Sequence, residues 1–100
     1  MYIAMNRFKV VPGQEEAFED VWRNRDTQLD KMPGFREFHL LKGPTTDEYS
    51  LYSSHTVWNS REDFENWTHS QAFRDAHKGA GKRGHMYLDH PHFEGFEAVL

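Results

Sequence analysis

Cysteine is absent from the 100 residues, which excludes disulfides, thiolate zinc sites and thiol nucleophiles and fits a reducing, cytoplasmic compartment. No apolar run approaches the about 20 residues that a membrane-spanning helix needs, and no signal peptide precedes Tyr2, so no membrane insertion is expected. Basic runs are missing as well: none exceeds the pair Lys82-Arg83, and sixteen acids against twelve bases leave a formal charge of −4. That balance argues against a nucleic-acid or anionic-membrane partner. Aliphatic side chains are scarce, with twelve Val, Leu and Ile facing fifteen Phe, Trp and Tyr. A chain of this length folds as one domain, residues 1–100, and buries only about two thirds of its unfolded surface. Its own core is therefore thin, and the aromatic surface left over predicts a homodimer.

The order of elements follows from periodicity and punctuation. Residues Tyr2 to Val11 alternate as a strand, with Tyr2, Ala4, Asn6, Phe8 and Val10 on one face, the signature of a half-buried β-strand. Pro12-Gly13 closes it. Gln14 to about Leu29 is an amphipathic helix carrying Ala17, Phe18, Val21, Trp22, Arg25 and Leu29 at three- and four-residue steps. After Pro33-Gly34, Phe35 to Lys42 and Glu48 to Asn59 read as a hairpin whose turn is Gly43-Pro44-Thr45-Thr46-Asp47. Ser60-Arg61-Glu62-Asp63 resembles a capping box and starts the helix with Phe64 and Trp67. A further helix, capped by Ser70, places Ala72, Phe73, Ala76 and His77 on one face before the glycine-rich segment Gly79 to Gly84. His85 to Leu100 supplies a last strand, with Pro91 marking an irregular beginning. The order β-α-β-β-α-β predicts an α+β, ferredoxin-like domain: an antiparallel sheet with helices on one face and the other face free for a second copy.

Three residues stand out as a candidate site. Asn6 is a mid-strand amide on an otherwise apolar face, and a buried amide must find hydrogen-bond partners. Trp67 and His77 lie on consecutive helical segments, pointing where the apolar side chains point, back towards the face that carries Asn6. Pattern alone also accommodates three structural side chains.

With Asn6 on the first strand, Asn66-Trp67 on the second long helix and Phe73-Arg74-Asp75-Ala76-His77-Lys78 following, the chain resembles the IsdG-type heme-degrading monooxygenases of the antibiotic biosynthesis monooxygenase superfamily. The Pro12-Gly13 turn, the Pro33-Gly34-Phe35 entry and Thr56-Val57-Trp58 belong to the same resemblance, which spans nearly the whole chain. It implies a dimer with one heme per subunit, heme being both substrate and cofactor. It further implies O2, an external electron donor such as a reductase, ring opening and release of iron. Residue by residue, it makes His77 the axial ligand of the heme iron, Asn6 a distal hydrogen-bond donor, and Trp67 a wall pressing the porphyrin out of plane, with Phe73 also lining the heme. An imidazole is a standard axial ligand, and an amide donates without being a strong acid. The segment Gly79 to Gly84 is shorter and more glycine-rich than in better-known members, and the chain ends soon after Phe96, which leaves the product isomer open. Lys78, Lys82 and Arg83 are candidates for the heme propionates.

Two rival functions fit the same sequence. One is a cofactor-independent monooxygenase of the superfamily, oxidising an aromatic phenol or quinol with Asn66 and Trp67. The other is a heme carrier or sensor that binds through His77 and turns nothing over. His90-Pro91-His92 with Asp89 and His85 is a lesser candidate for a non-heme metal. His39 and His55 fall in strands and are expected at the dimer interface, and His69 in solvent.

Overall fold

The computed structural model describes residues 1–25, 27–77 and 84–100. Strand β1 (Tyr2–Val10) is followed by helix α1 (Glu15–Arg23), a 3-10 turn (Leu29–Lys31), strands β2 (Phe35–Thr45) and β3 (Ser50–Trp58), helices α2 (Arg61–Thr68) and α3 (Gln71–Ala76), and strand β4 (His92–Glu97). The sheet runs β2-β3-β1-β4 and every neighbouring pair is antiparallel. Each helical crossover therefore spans an intervening strand, which is the ferredoxin-like arrangement expected.

Local chemistry sets most boundaries. Ser60 Oγ accepts the backbone N–H of Asp63, and Ser70 Oγ accepts that of Phe73, so both expected caps form and satisfy otherwise orphaned amides. Gly34 turns into β2 at φ +81°, and a Cβ there would sit 2.1 Å from the Asp63 carboxylate. Three boundaries differ from expectation. Helix α1 ends at Arg23 instead of near Leu29, because the backbone leaves helical geometry and Gln28 takes φ 54°; Leu29 still reaches the core, at 6 % exposure, from the 3-10 turn. Gly43, Pro44 and Thr45 belong to β2 and not to the turn, since a register shift between Lys42 and Thr45 absorbs Pro44, whose missing N–H a bulge tolerates. The last strand is confined to His92–Glu97, with Tyr87 forming an isolated bridge to Val10.

The core lies between the sheet and the helices, and it is divided. One cluster gathers Tyr2, Ala4, Leu29, Trp58, Trp67 and Ala76; the other gathers Phe8, Val10, Phe18, Tyr52 and Met86. Phe18 anchors α1 in the second cluster with no exposed surface, a burial worth about 1.5–3 kcal/mol. Two hydrogen bonds from β3 hold the same helix: Tyr52 donates to Glu19, and Ser50 donates to Glu15 over 2.8 Å. Burial and the neighbouring Glu19 push the Tyr52 phenol well above its ordinary value, so it remains a donor. Along β1 the change from one cluster to the other falls at Asn6, and opposite it on β3 stands Ser54. These short polar side chains leave space where the aromatic side chains on either side fill it.

Candidate functional site

That space is a cleft over β1 and β3. It comprises two cavities, of about 590 and 450 Å3, both lined by Asn6, Trp22, Arg25, Ser54 and His77. Trp67 and Phe73 line the second, together with Phe64 and Phe38. Volumes of this order and mainly apolar walls suit a small-molecule ligand. Asn6, Trp67, Phe73 and His77, singled out from the sequence, thus border one cavity although they come from β1, α2, α3 and the end of α3.

Ser70 links two of these. Its hydroxyl accepts from the Phe73 amide at 3.1 Å and donates to the Trp67 carbonyl at 2.6 Å, joining the end of α2 to the start of α3. Trp67 is 5 % exposed, lies over Trp58 with centroids 6.4 Å apart, and meets Phe73 edge-on at 5.4 Å. The indole is thereby held from two sides.

His77 follows α3 directly as its C-cap. Its Nδ1 lies 2.8 Å from the Phe73 carbonyl oxygen, and since a carbonyl only accepts, Nδ1 carries the proton. In the neutral imidazole the lone pair is then on Nε2, the arrangement in which a second hydrogen bond fixes a metal-ligating imidazole. The ring also stacks on Phe73, with centroids 4.0 Å apart. One nitrogen is thus used to orient the ring, and the other has ligand chemistry. The donor set fits heme: an oriented imidazole, aromatic walls, and an amide on the cleft floor.

Arg25, read in the sequence as part of the α1 face, lies beyond the helix end with its guanidinium 4.3 Å from the Trp22 ring centroid. It borders both cavities. The premature end of α1 puts it there, and no sequence signal marked that end. Nothing in the sequence marks Ser54 either, since a serine in a mixed strand gains meaning only from the residue opposite it. Lys78, Lys82 and Arg83 lie outside the described residues. Asp89 is engaged by Lys9 at 3.9 Å and by His92 at 3.4 Å, and among the described residues no group of three or more His, Asp or Glu could hold a metal ion. Asn66 is exposed and borders neither cavity. His39 and His55 face each other across β2 and β3.

Residues 1–79 match the antibiotic biosynthesis monooxygenase family. The chain belongs to that family. It is 36% identical over 89 residues to a heme-degrading monooxygenase of Bacillus thuringiensis subsp. konkukian, the match covering 89% of this chain and 82% of the relative. Its fold superposes on the heme-degrader MhuD from Mycobacterium tuberculosis, solved with two hemes bound in its active site, with a TM-score of 0.73, 28% identity, and 100% and 97% of the two chains covered. It also superposes on SnoaB, a cofactor-independent oxygenase from Streptomyces nogalater, with a TM-score of 0.72 and 22% identity over 99% of this chain and 93% of that one; this last likeness concerns the fold alone. No helix among the described residues is long and apolar enough to cross a membrane.

Proposed function

We propose that this protein is a heme-degrading monooxygenase that binds heme in the cleft between its two aromatic clusters. The observation that carries the reading is the His77 imidazole, oriented through Nδ1 by the Phe73 carbonyl at the rim of a cleft that Asn6 and Trp67 also border. Bound heme supplies the iron at which O2 and electrons from an external donor, such as a reductase, react, and the ring that is opened with loss of iron. His77 would hold the iron, through Nε2. Asn6 would donate a hydrogen bond from the floor of the cleft. Trp67, held by Trp58 and Phe73, would keep for itself volume that a flat macrocycle needs, since tight packing would prevent it from yielding. Phe73, which lines the second cavity, would pack against the ring, and Arg25, which borders both cavities, would lie near a heme carboxylate. The sheet face away from the helices pairs with a second copy, so the working unit is a homodimer in a reducing cytoplasm.

The cofactor-independent alternative is disfavoured by Asn66, which is exposed and borders neither cavity. Mixing the purified protein with heme and then with ascorbate in air separates the readings. A Soret band that appears and then decays supports degradation, one that appears and persists indicates a carrier, and none at all indicates cofactor-independent chemistry.

A further inference from the structure

Three polar side chains besides Ser54, those of Ser50, Tyr52 and Thr56, lie on the helix-covered face of β3, and each of them has a partner. Ser50 donates to Glu15 and accepts from Thr45, Tyr52 donates to Glu19, and Thr56 donates to the Ala4 carbonyl at 3.3 Å and accepts from Trp58 Nε1 at 3.0 Å. The Ser54 hydroxyl makes no hydrogen bond with any described residue, and neither does the Asn6 amide directly opposite it in the β1–β3 register. Directly opposed residues of an antiparallel pair hold their Cβ atoms about 4.5–5.5 Å apart. Both side chains border both cavities. Along β1 this face is otherwise aromatic or aliphatic: Phe8 and Val10 on one side of Asn6, Ala4 and Tyr2 on the other. A ligand that covered two polar groups without answering them would incur their full desolvation penalty. The floor of the cleft is therefore built to meet a small polar group at one point, from two strands.

We propose that Ser54 is a second distal-site residue, whose hydroxyl donates to the same small ligand as the Asn6 amide. The proposal rests on the heme reading above and deepens it: the distal environment is a two-donor pair, one donor from β1 and one from β3. A hydroxyl can rotate to donate or accept, so it follows the ligand as its charge changes, whereas the amide presents a fixed N–H.

The test uses carbon monoxide on the reduced, heme-loaded protein, because the C–O stretching frequency falls when a donor points at the bound molecule. Ser54→Ala is expected to raise that frequency and to weaken cyanide binding to the ferric form severalfold, while Ser54→Thr, which keeps the hydroxyl, stays near wild type. Ser54→Ala combined with Asn6→Ala should raise the frequency beyond either single change. Thermal melts of the same variants exclude a loss of fold as the cause. If wild type forms the carbonyl complex and Ser54→Ala leaves both frequency and cyanide affinity unchanged, this proposal fails and the heme reading stands. A wild-type protein that takes up no heme, and so forms no carbonyl complex, overturns the heme reading and this proposal with it.

Discussion

His77 and Phe73 are joined twice: Nδ1–H of the imidazole donates to the Phe73 carbonyl 2.8 Å away, and the two rings stack with centroids 4.0 Å apart. Ring orientation is thus fixed before any ligand arrives. His77→Ala is expected to abolish degradation and to weaken heme binding strongly, because only ring burial and carboxylate contacts remain. Titration of heme against the Soret band checks this. A variant that keeps the wild-type Soret position and affinity would mean that another residue binds the iron.

Asn6→Ala removes a donor but leaves the axial ligand and the walls in place. Heme affinity should stay close to wild type, and the rate of Soret decay should fall by about a hundredfold, the value of roughly 3 kcal/mol for one hydrogen bond placed where charge develops. Unchanged decay in a folded variant would return Asn6 to a purely structural role.

Trp67 belongs to both the cleft and the core, with its indole over Trp58 and against Phe73. Trp67→Phe should retain part of the ring distortion and part of the rate. Trp67→Ala should bind a flatter heme and lose most degradation, and it should also cost about 3–5 kcal/mol of stability through the cavity it leaves. NMR shifts of the ferric heme substituents report distortion, and urea melts report stability. A flattened heme degraded at the wild-type rate would remove strain at Trp67 from the mechanism.

Glu15 gives a signature of folding that does not depend on heme. Hydrogen bonding from Ser50, together with backbone amides including that of Gly13, holds its carboxyl below the ordinary carboxylate value. A folded-state pKa below the unfolded one contributes stability that is present above the unfolded value and lost as pH falls through the folded one. Ser50→Ala should therefore be less stable than wild type near neutrality, with the gap narrowing on the acid side. Denaturant midpoints measured between about pH 7 and about pH 3 check it; a gap independent of pH would show that Glu15 is not responsible.

The sheet face away from the helices carries Leu41 and Phe96, 41% and 50% exposed, and among the described residues the buried Nδ1 of His55 has no hydrogen-bond partner. A second copy laid on this face would cover the apolar side chains, so sedimentation should report a dimer at micromolar concentration. Leu41→Glu should shift it towards monomer. A wild-type monomer, with or without heme, would refute the homodimer.

The sequence alone determined the elements whose causes are local. Alternation from Tyr2 to Val10 specified β1 and its buried face, and Ser60 and Ser70 specified two helix starts through hydroxyls that reach amides three residues on. The spacing of Trp67, Phe73 and His77 put them on helical faces that turn towards the sheet. Tertiary structure decided what depends on distant neighbours. Pro44 became part of a strand because β3 offered a bulge to absorb it, and α1 stopped at Arg23, leaving Leu29 to enter the core from a 3-10 turn and Arg25 to border the cleft. The division of the core is the clearest case. Asn6 and Ser54 lie 48 positions apart in the chain, and each alone is one polar residue in a strand. Pairing in register across β1 and β3 turns them into a gap between two aromatic clusters, because packing depends on which side chains share a layer, and strand register, not sequence separation, sets that.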